Sequence, residues 1–255
     1  MKIFHFKYND KIFYAVLEED VLYPIKGSVF RKFKLEKESI PLGKVTLLPP
    51  VTPSKIIAVG VNYRNHAQEM GHRVPEEPLI FLKPPSAVVG PNDLIIYPRM
   101  SKRVDYEGEL AFIIRKKAHL LEDTEEVDDY ILGYTCFNDV TARDLQEKDV
   151  QFTRAKSFDT FAAVGPCIAT DVDPSHLRLK TFVNGKLRQS ATTRNFVFSV
   201  PFLIRFISQI MTLYPGDIIT TGTPAGVGPL KPGDRVDVQI EGIGTLSNTV
   251  MKIKR

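Results

Sequence analysis

Residues 104–114 read VDYEGELAFII. The unbroken apolar run Leu110–Ile114 suits a strand covered on both faces. Just ahead of it stand Glu107 and Glu109, two residues apart, a spacing that puts both side chains on one side of a strand. Adjacent carboxylates on an apolar strand repel, and burying them unpaired costs several kcal/mol or raises their pKa. A cation removes the conflict. The other reading is a solvated strand face with the glutamates paired to Lys102 or Arg103. About thirty residues on, TCFNDVTARD (135–144) closes a second apolar run with Asp139. Three carboxylates with no nearby His specify a hard ion, Mg²⁺ first, then Mn²⁺ or Ca²⁺.

Outward from this centre the text is strand-like. KIIAVGVNY, LIFLKPP, DLIIYP, FAAVGPCIA, LRLKTFV and KLRQSA are further strand candidates. Asn184-Gly185 between two of them is a hairpin signal. One amphipathic helix is expected, capped by Ser199, with Pro201 in its first turn and Phe202, Leu203, Phe206, Ile207 and Ile210 at helical spacing. At the N-terminus KIFHF, KIFYAVLE and VLYPI, broken at Asn9-Asp10 and Glu19-Asp20, predict a small antiparallel sheet. KVTLLPPVTP (44–53), with three prolines, reads as a linker. The prediction is a β-dominated α+β fold with a small N-terminal β-rich domain over 1–50 and a catalytic domain over 51–255. Absence of a βαβ rhythm argues against a doubly wound sheet.

The 255 residues are 43% apolar and 25% charged, enough to build a full core and too apolar for a disordered chain. Residues 1–50 hold nine Lys/Arg against six Asp/Glu; the rest is nearly neutral, with 25 against 24. No basic stripe with interleaved aromatics exists, so a nucleic-acid partner is not expected. No apolar stretch reaches the ~18 residues of a membrane span. The charged N-terminus is unlike a secretory signal, and two cysteines cannot build a disulfide framework. A cytoplasmic protein is the expectation.

In NYRNHAQEM, His66 and Glu69 stand three apart, so on a helix a carboxylate–imidazole hydrogen bond is feasible. The pair could take a proton from water, or could be an ordinary surface hydrogen bond. In TGTPAGVG, Thr223 could donate its hydroxyl, and Gly222 would let backbone N–H approach a substrate oxygen. Reading Gly222, Gly226 and Gly228 as a phosphate loop is weak, because no Gly-Lys-Ser/Thr follows.

GVNYRNHAQE, DYEGELA, FNDVTARDLQ, TRAKSFDT and TGTPAGVG occur in this order, and over residues 52–250 the chain resembles the fumarylacetoacetate hydrolase family. Within it the chain is similar to acylpyruvate hydrolases, oxaloacetate decarboxylases and hydroxyheptadienedioate isomerases. The resemblance implies a mixed β-roll, a homodimer, one Mg²⁺ or Mn²⁺ on Glu107, Glu109 and Asp139, and a variable N-terminal domain. It implies water activation by His66 and Glu69 on a mobile lid over residues 64–78. It implies that Lys156 faces a substrate oxygen and that Arg143 and Gln146 contact substrate. Otherwise Lys156 reads as a solvated lysine, and Arg143 as a surface partner of Asp144 or Glu147. Where relatives often carry Trp, this chain has Phe152, and it contains no Trp.

Three carboxylates and one divalent ion sum to −1, so an anionic substrate needs Lys156 and Arg143. A 2-oxo acid could chelate the ion, which would stabilise its enolate. The expected activity is metal-dependent C–C cleavage of a 2,4-dioxo (acylpyruvate-type) acid by hydrolysis, with oxaloacetate decarboxylation as a second activity. The alternative is an isomerase or decarboxylase of 2-hydroxyhepta-2,4-diene-1,7-dioate-type acids; more remote is a non-catalytic metal-binding dimer.

Overall fold

The computed structural model describes residues 1–69, 73–124 and 126–252, without the side chains of residues 66–68. Among them, a 13-stranded sheet runs from Lys34–Leu35 through Val21–Lys26, Lys11–Glu18, Lys2–Tyr8, Ala162–Ala169, Ile131–Asp139, Gly108–Ile114, Ile218–Thr220 and Ile56–Gly60 to Leu79–Lys83. A five-stranded sheet, Leu94–Ile96, Gly244–Met251, Arg235–Ile240, Arg178–Val183 and Lys186–Thr192, packs on its middle. The fold is β-dominated α+β.

The central strand is apolar throughout because both its faces are covered. Leu110 and Phe112 enter one core with Leu179, Val238, Ile240 and Leu246 of the smaller sheet. Ala111 and Ile113 enter a second core with Phe137, Val164, Val29 and Val51. Alternation therefore divides the run between two apolar layers rather than between core and water.

Local signals act as expected. Asn9 and Asp10 turn the first hairpin with φ of 46° and 59°; Asn184 and Gly185, at 51° and 73°, turn Arg178–Val183 into Lys186–Thr192. Helix Val200–Ile210 starts at Ser199, whose hydroxyl accepts from Phe202 N–H at 3.4 Å. Its buried face is Val200, Leu203, Ile204 and Ile207; Phe202 and Ile210 are exposed, and Phe202 stacks between Phe198 and Phe206. The N-terminal strands continue the large sheet, with Lys2 and Ile3 in register with Ala169 and Ile168. No helix among the described residues is long and apolar enough to cross a membrane.

One irregularity positions the site. Gly108–Ile114 and Ile131–Asp139 run antiparallel in the large sheet, then leave it together. Val104–Tyr106 and Thr141–Ala142 carry the same pairing into a three-stranded sheet completed by Gly228–Leu230. Glu107 and Val140 are the crossing points.

Candidate active site

At this crossing Glu107, Glu109 and Asp139 are 5%, 1% and 1% exposed. Each offers a carboxylate oxygen within 4.8 Å of the other two. Oxygens sharing a hard cation at roughly 2.0–2.6 Å lie no more than about 5 Å apart, so spacing and donor type both fit a divalent ion. The solvated-face reading is overturned: Arg103 grips Asp105 instead, at 3.0 and 3.1 Å. Burial, then Asp139, then Glu107 push the Glu109 carboxyl well above its ordinary pKa. A divalent cation is what such a cluster attracts.

The backbone carrying these ligands is fully bonded. Glu107 N–H donates to Asn138 Oδ1 at 3.0 Å, and Asp139 N–H to Glu107 O at 2.9 Å. Gly222 N–H donates to Glu109 Oε2 at 2.9 Å. Gly222 has φ +86°, and a Cβ there would lie 3.0 Å from Asn62 Cβ and from Val59 O, so only glycine brings its N–H this close without strain. Asn62, buried, holds that corner by accepting from Phe198 N–H and donating to Phe198 O and Thr221 O.

Three buried cations surround the acids. Lys156 Nζ donates to Glu107 Oε2 at 2.8 Å and Asp139 Oδ2 at 2.6 Å, and lies 5.1 Å from the centre of the Phe81 ring. Arg143 donates from Nε to Asp105 Oδ2 at 3.0 Å, from Nη2 to Glu107 and from Nη1 to Gln146. It is 4% exposed and does not pair with Asp144 or Glu147 on the surface. Lys83 donates to Asp139 Oδ1, and to Val140 O at 3.3 Å. Burial opposes charge on both lysines. With two carboxylates, Asp139 and Glu107, against it, Lys156 ends above the ordinary lysine pKa. Lys83, bonded to one carboxylate, Asp139, and repelled by Lys156, ends below it.

These groups open on a pocket of about 760 Å³ that Glu107, Glu109, Asp139, Arg143, Gln146, Lys156 and Thr223 all line. Val59, Leu79, Phe81 and Phe152 supply apolar wall, with Phe81 and Phe152 packed edge to face at 5.5 Å; Arg73, Glu77 and Glu147 are exposed charges on the lining. Two sequence expectations change. The Thr223 hydroxyl donates to Gly108 O at 2.9 Å, and Gly222 N–H is spent on Glu109, so both donors serve the acidic cluster rather than a substrate oxygen. Glu69 ends helix Arg64–Glu69, and its carboxylate accepts from Gly226 N–H at 2.9 and 3.1 Å. The His66 side chain, and with it the His66–Glu69 hydrogen bond, lies outside the described residues.

Lys83, Asp105, Asn62 and Gln189 escape the sequence reading. Lys83 left a signal, a charge ending the apolar run LIFL against two prolines. Gln189 left none: in KLRQSA it looks like any outward polar residue of an alternating strand.

A β-rich chain with three carboxylates buried beside a pocket and spaced so that they could hold one metal ion defines a class of enzyme scaffold. Residues 55–251 match Fumarylacetoacetate (FAA) hydrolase C-terminal, and residues 1–50 match Rv2993c-like, N-terminal. The chain belongs to the fumarylacetoacetate hydrolase family, whose members are enzymes. It is 46% identical to a mitochondrial oxaloacetate tautomerase of Rattus norvegicus over 224 residues, 83% of this chain and 71% of that one. A 5-carboxymethyl-2-hydroxymuconate delta-isomerase from Mycobacterium smegmatis superposes with TM-score 0.93 at 42% identity, covering 99% of this chain and 100% of that one. A maleylpyruvate hydrolase from Sphingobium sp. SYK-6, in complex with manganese(II) and pyruvate, superposes with TM-score 0.82 at 32% identity over the whole of both chains.

Proposed function

We propose that the protein is a divalent-metal-dependent enzyme acting on a 2-oxo dicarboxylic acid, moving a proton at the carbon beside the 2-oxo group. The observation that carries this reading is the charge balance of the buried cluster. Glu107, Glu109 and Asp139 face an equal number of cations, Arg143, Lys156 and Lys83, while Asp105 is shared between Arg143 and Arg103. Lys83 corrects the bookkeeping from sequence, which lacked one positive charge. A divalent ion, Mg²⁺ or Mn²⁺, would bring the site to +2, which a dianion neutralises and a monoanionic acylpyruvate neutralises only in part. Oxaloacetate, 5-carboxymethyl-2-hydroxymuconate and maleylpyruvate, named for three relatives, are all at least dicarboxylates.

When bound on Glu107, Glu109 and Asp139, the ion supplies positive charge that favours the enolate of a 2-oxo acid. The chain's own residues do the rest. Lys156 holds Glu107 and Asp139, and Arg143 holds Glu107, while both present positive charge to the pocket. Phe81 and Phe152 keep one wall dry, which strengthens each charge interaction inside. Keto–enol tautomerisation of an oxaloacetate-type acid needs this machinery and a water molecule that takes the proton from carbon while one is returned to oxygen, with no activated nucleophile. Hydrolytic C–C cleavage of a 2,4-dioxo acid is the second reading. Glu69, docked on the Gly226 loop beside the pocket-lining Thr223, favours it as a partner for His66 in activating water.

The test follows ultraviolet absorbance of enolic oxaloacetate, acetylpyruvate and maleylpyruvate with Mg²⁺ or Mn²⁺ and with chelator. Metal-dependent turnover with a higher kcat/KM for the dicarboxylates supports the reading. Turnover unchanged by chelator, or none on any 2-oxo acid, contradicts it. Pyruvate release separates hydrolysis from tautomerisation.

A further inference from the structure

We infer that Gln189 is a positioning residue for the acidic cluster, acting from the smaller sheet through the extended segment Glu107–Gly108–Glu109. The inference rests on the metal reading above. Gln189 is 1% exposed, on the hairpin strand Lys186–Thr192, and no part of it lines the pocket. Its Oε1 accepts from Gly108 N–H at 3.0 Å. Its Nε2 donates to Thr223 Oγ1 at 2.8 Å and to Pro224 O at 2.8 Å. Thr223 Oγ1 in turn donates to Gly108 O at 2.9 Å.

Both backbone polar groups of Gly108, the residue between the two glutamates, are therefore held by one side-chain circuit: the N–H by Gln189 directly, the carbonyl by Thr223, which Gln189 orients. The contact between sheets is close enough to dictate the residue in the middle. A Cβ on Gly108 would fall 2.1 Å from Thr181 Oγ1 and 3.2 Å from Gln189 Oε1. Gly108 is thus the point where the carboxylate-bearing strand is pressed against the smaller sheet, and Gln189 sets its height and rotation. An amide suits this place because it accepts from one peptide and donates to a hydroxyl and a carbonyl at once, with no charge added beside three carboxylates. Partners that orient ligands from behind in this way are worth about 10- to 100-fold in metal affinity.

The test is calorimetric titration of Mn²⁺ into wild type, Gln189→Met, Thr223→Val and Thr223→Ser, each checked for folding by circular dichroism. Gln189→Met keeps length and removes every hydrogen bond; it should weaken Mn²⁺ binding by about 10- to 100-fold. Thr223→Val should weaken it in the same direction, whereas Thr223→Ser, which keeps the hydroxyl, should restore wild-type affinity. A folded Gln189→Met with unchanged Mn²⁺ affinity overturns the inference. If that variant does not fold, the Thr223 pair decides: equal affinities in Thr223→Val and Thr223→Ser overturn it. A wild-type protein that binds no Mn²⁺ would instead overturn the metal reading on which the inference stands.

Discussion

The ammonium of Lys83 is buried against the carboxylate of Asp139, each residue 1% exposed, at the end of one strand and the end of another 56 positions later. Lys156 holds the other oxygen of the same carboxylate. Asp139 is therefore a carboxylate whose negative charge is countered from two sides, and this governs how the protein should behave with and without metal.

Lys83→Met removes one of those cations and leaves more uncompensated charge inside the fold. In chelator the variant should lose about 3 kcal/mol of stability by urea unfolding. Saturating Mn²⁺ should stabilise it more than it stabilises wild type, because the ion replaces the missing charge. Equal stabilisation of the two proteins by Mn²⁺ would contradict this account of Asp139.

Glu109→Gln keeps the shape of the most buried region of the cluster and removes a charged ligand. It should abolish Mg²⁺ binding in calorimetric titration while leaving the fold intact, since the amide oxygen still accepts from Gly222 N–H. An affinity equal to that of wild type would refute the assignment of Glu109 as a ligand.

Much of this was legible in VDYEGELAFII and TCFNDVTARD, because strand periodicity alone puts Glu107 and Glu109 on one side and ends an apolar run at Asp139. What the pattern could not show is that Glu107 falls at a break between two sheets, since that depends on a pairing partner far along the chain. The counter-ions were harder still. Arg143 reads as a substrate contact only by resemblance, and only three dimensions show its guanidinium, on the pocket wall, also bonded to Asp105, Glu107 and Gln146. Gln189 was invisible because its importance lies in a contact between sheets, and a polar residue in an alternating strand announces nothing. The N-terminal strands read correctly as antiparallel neighbours but not as a sheet of their own: they extend the large sheet, and their continuation from Lys2 and Ile3 onto Ala169 and Ile168 is a register that no local signal encodes.

That junction has its own pH dependence. His5 stacks on Tyr14 at 4.3 Å, and its Nδ1–H donates to Pro49 O at 2.6 Å. Burial lowers its pKa below the ordinary 6.5, against the opposing effect of the Pro49 hydrogen bond. The unfolded chain therefore takes up this proton at higher pH than the folded one, and stability falls as pH drops through about 6.5. His5→Phe should flatten the dependence of Tm on pH between 7 and 5.5, a range set by the imidazole pKa near about 6.5. An unchanged slope would show that His5 is not the group responsible.

His66→Ala should reduce hydrolysis of a 2,4-dioxo acid far more than proton exchange or tautomerisation of oxaloacetate, by at least about tenfold in the ratio of the two rates, because only hydrolysis needs activated water. Parallel rate measurements on the same variant decide it. Equal loss of both activities would remove the water-activating role from His66.

The central claim is a divalent cation seated where a strand pair passes from the large sheet into the three-stranded one. Diffraction from crystals grown with Mn²⁺, collected near the manganese absorption edge, tests it without reference to turnover. The account predicts one strong anomalous peak in contact with oxygens of Glu107, Glu109 and Asp139. A peak at any other place, or none at saturating Mn²⁺, would contradict it.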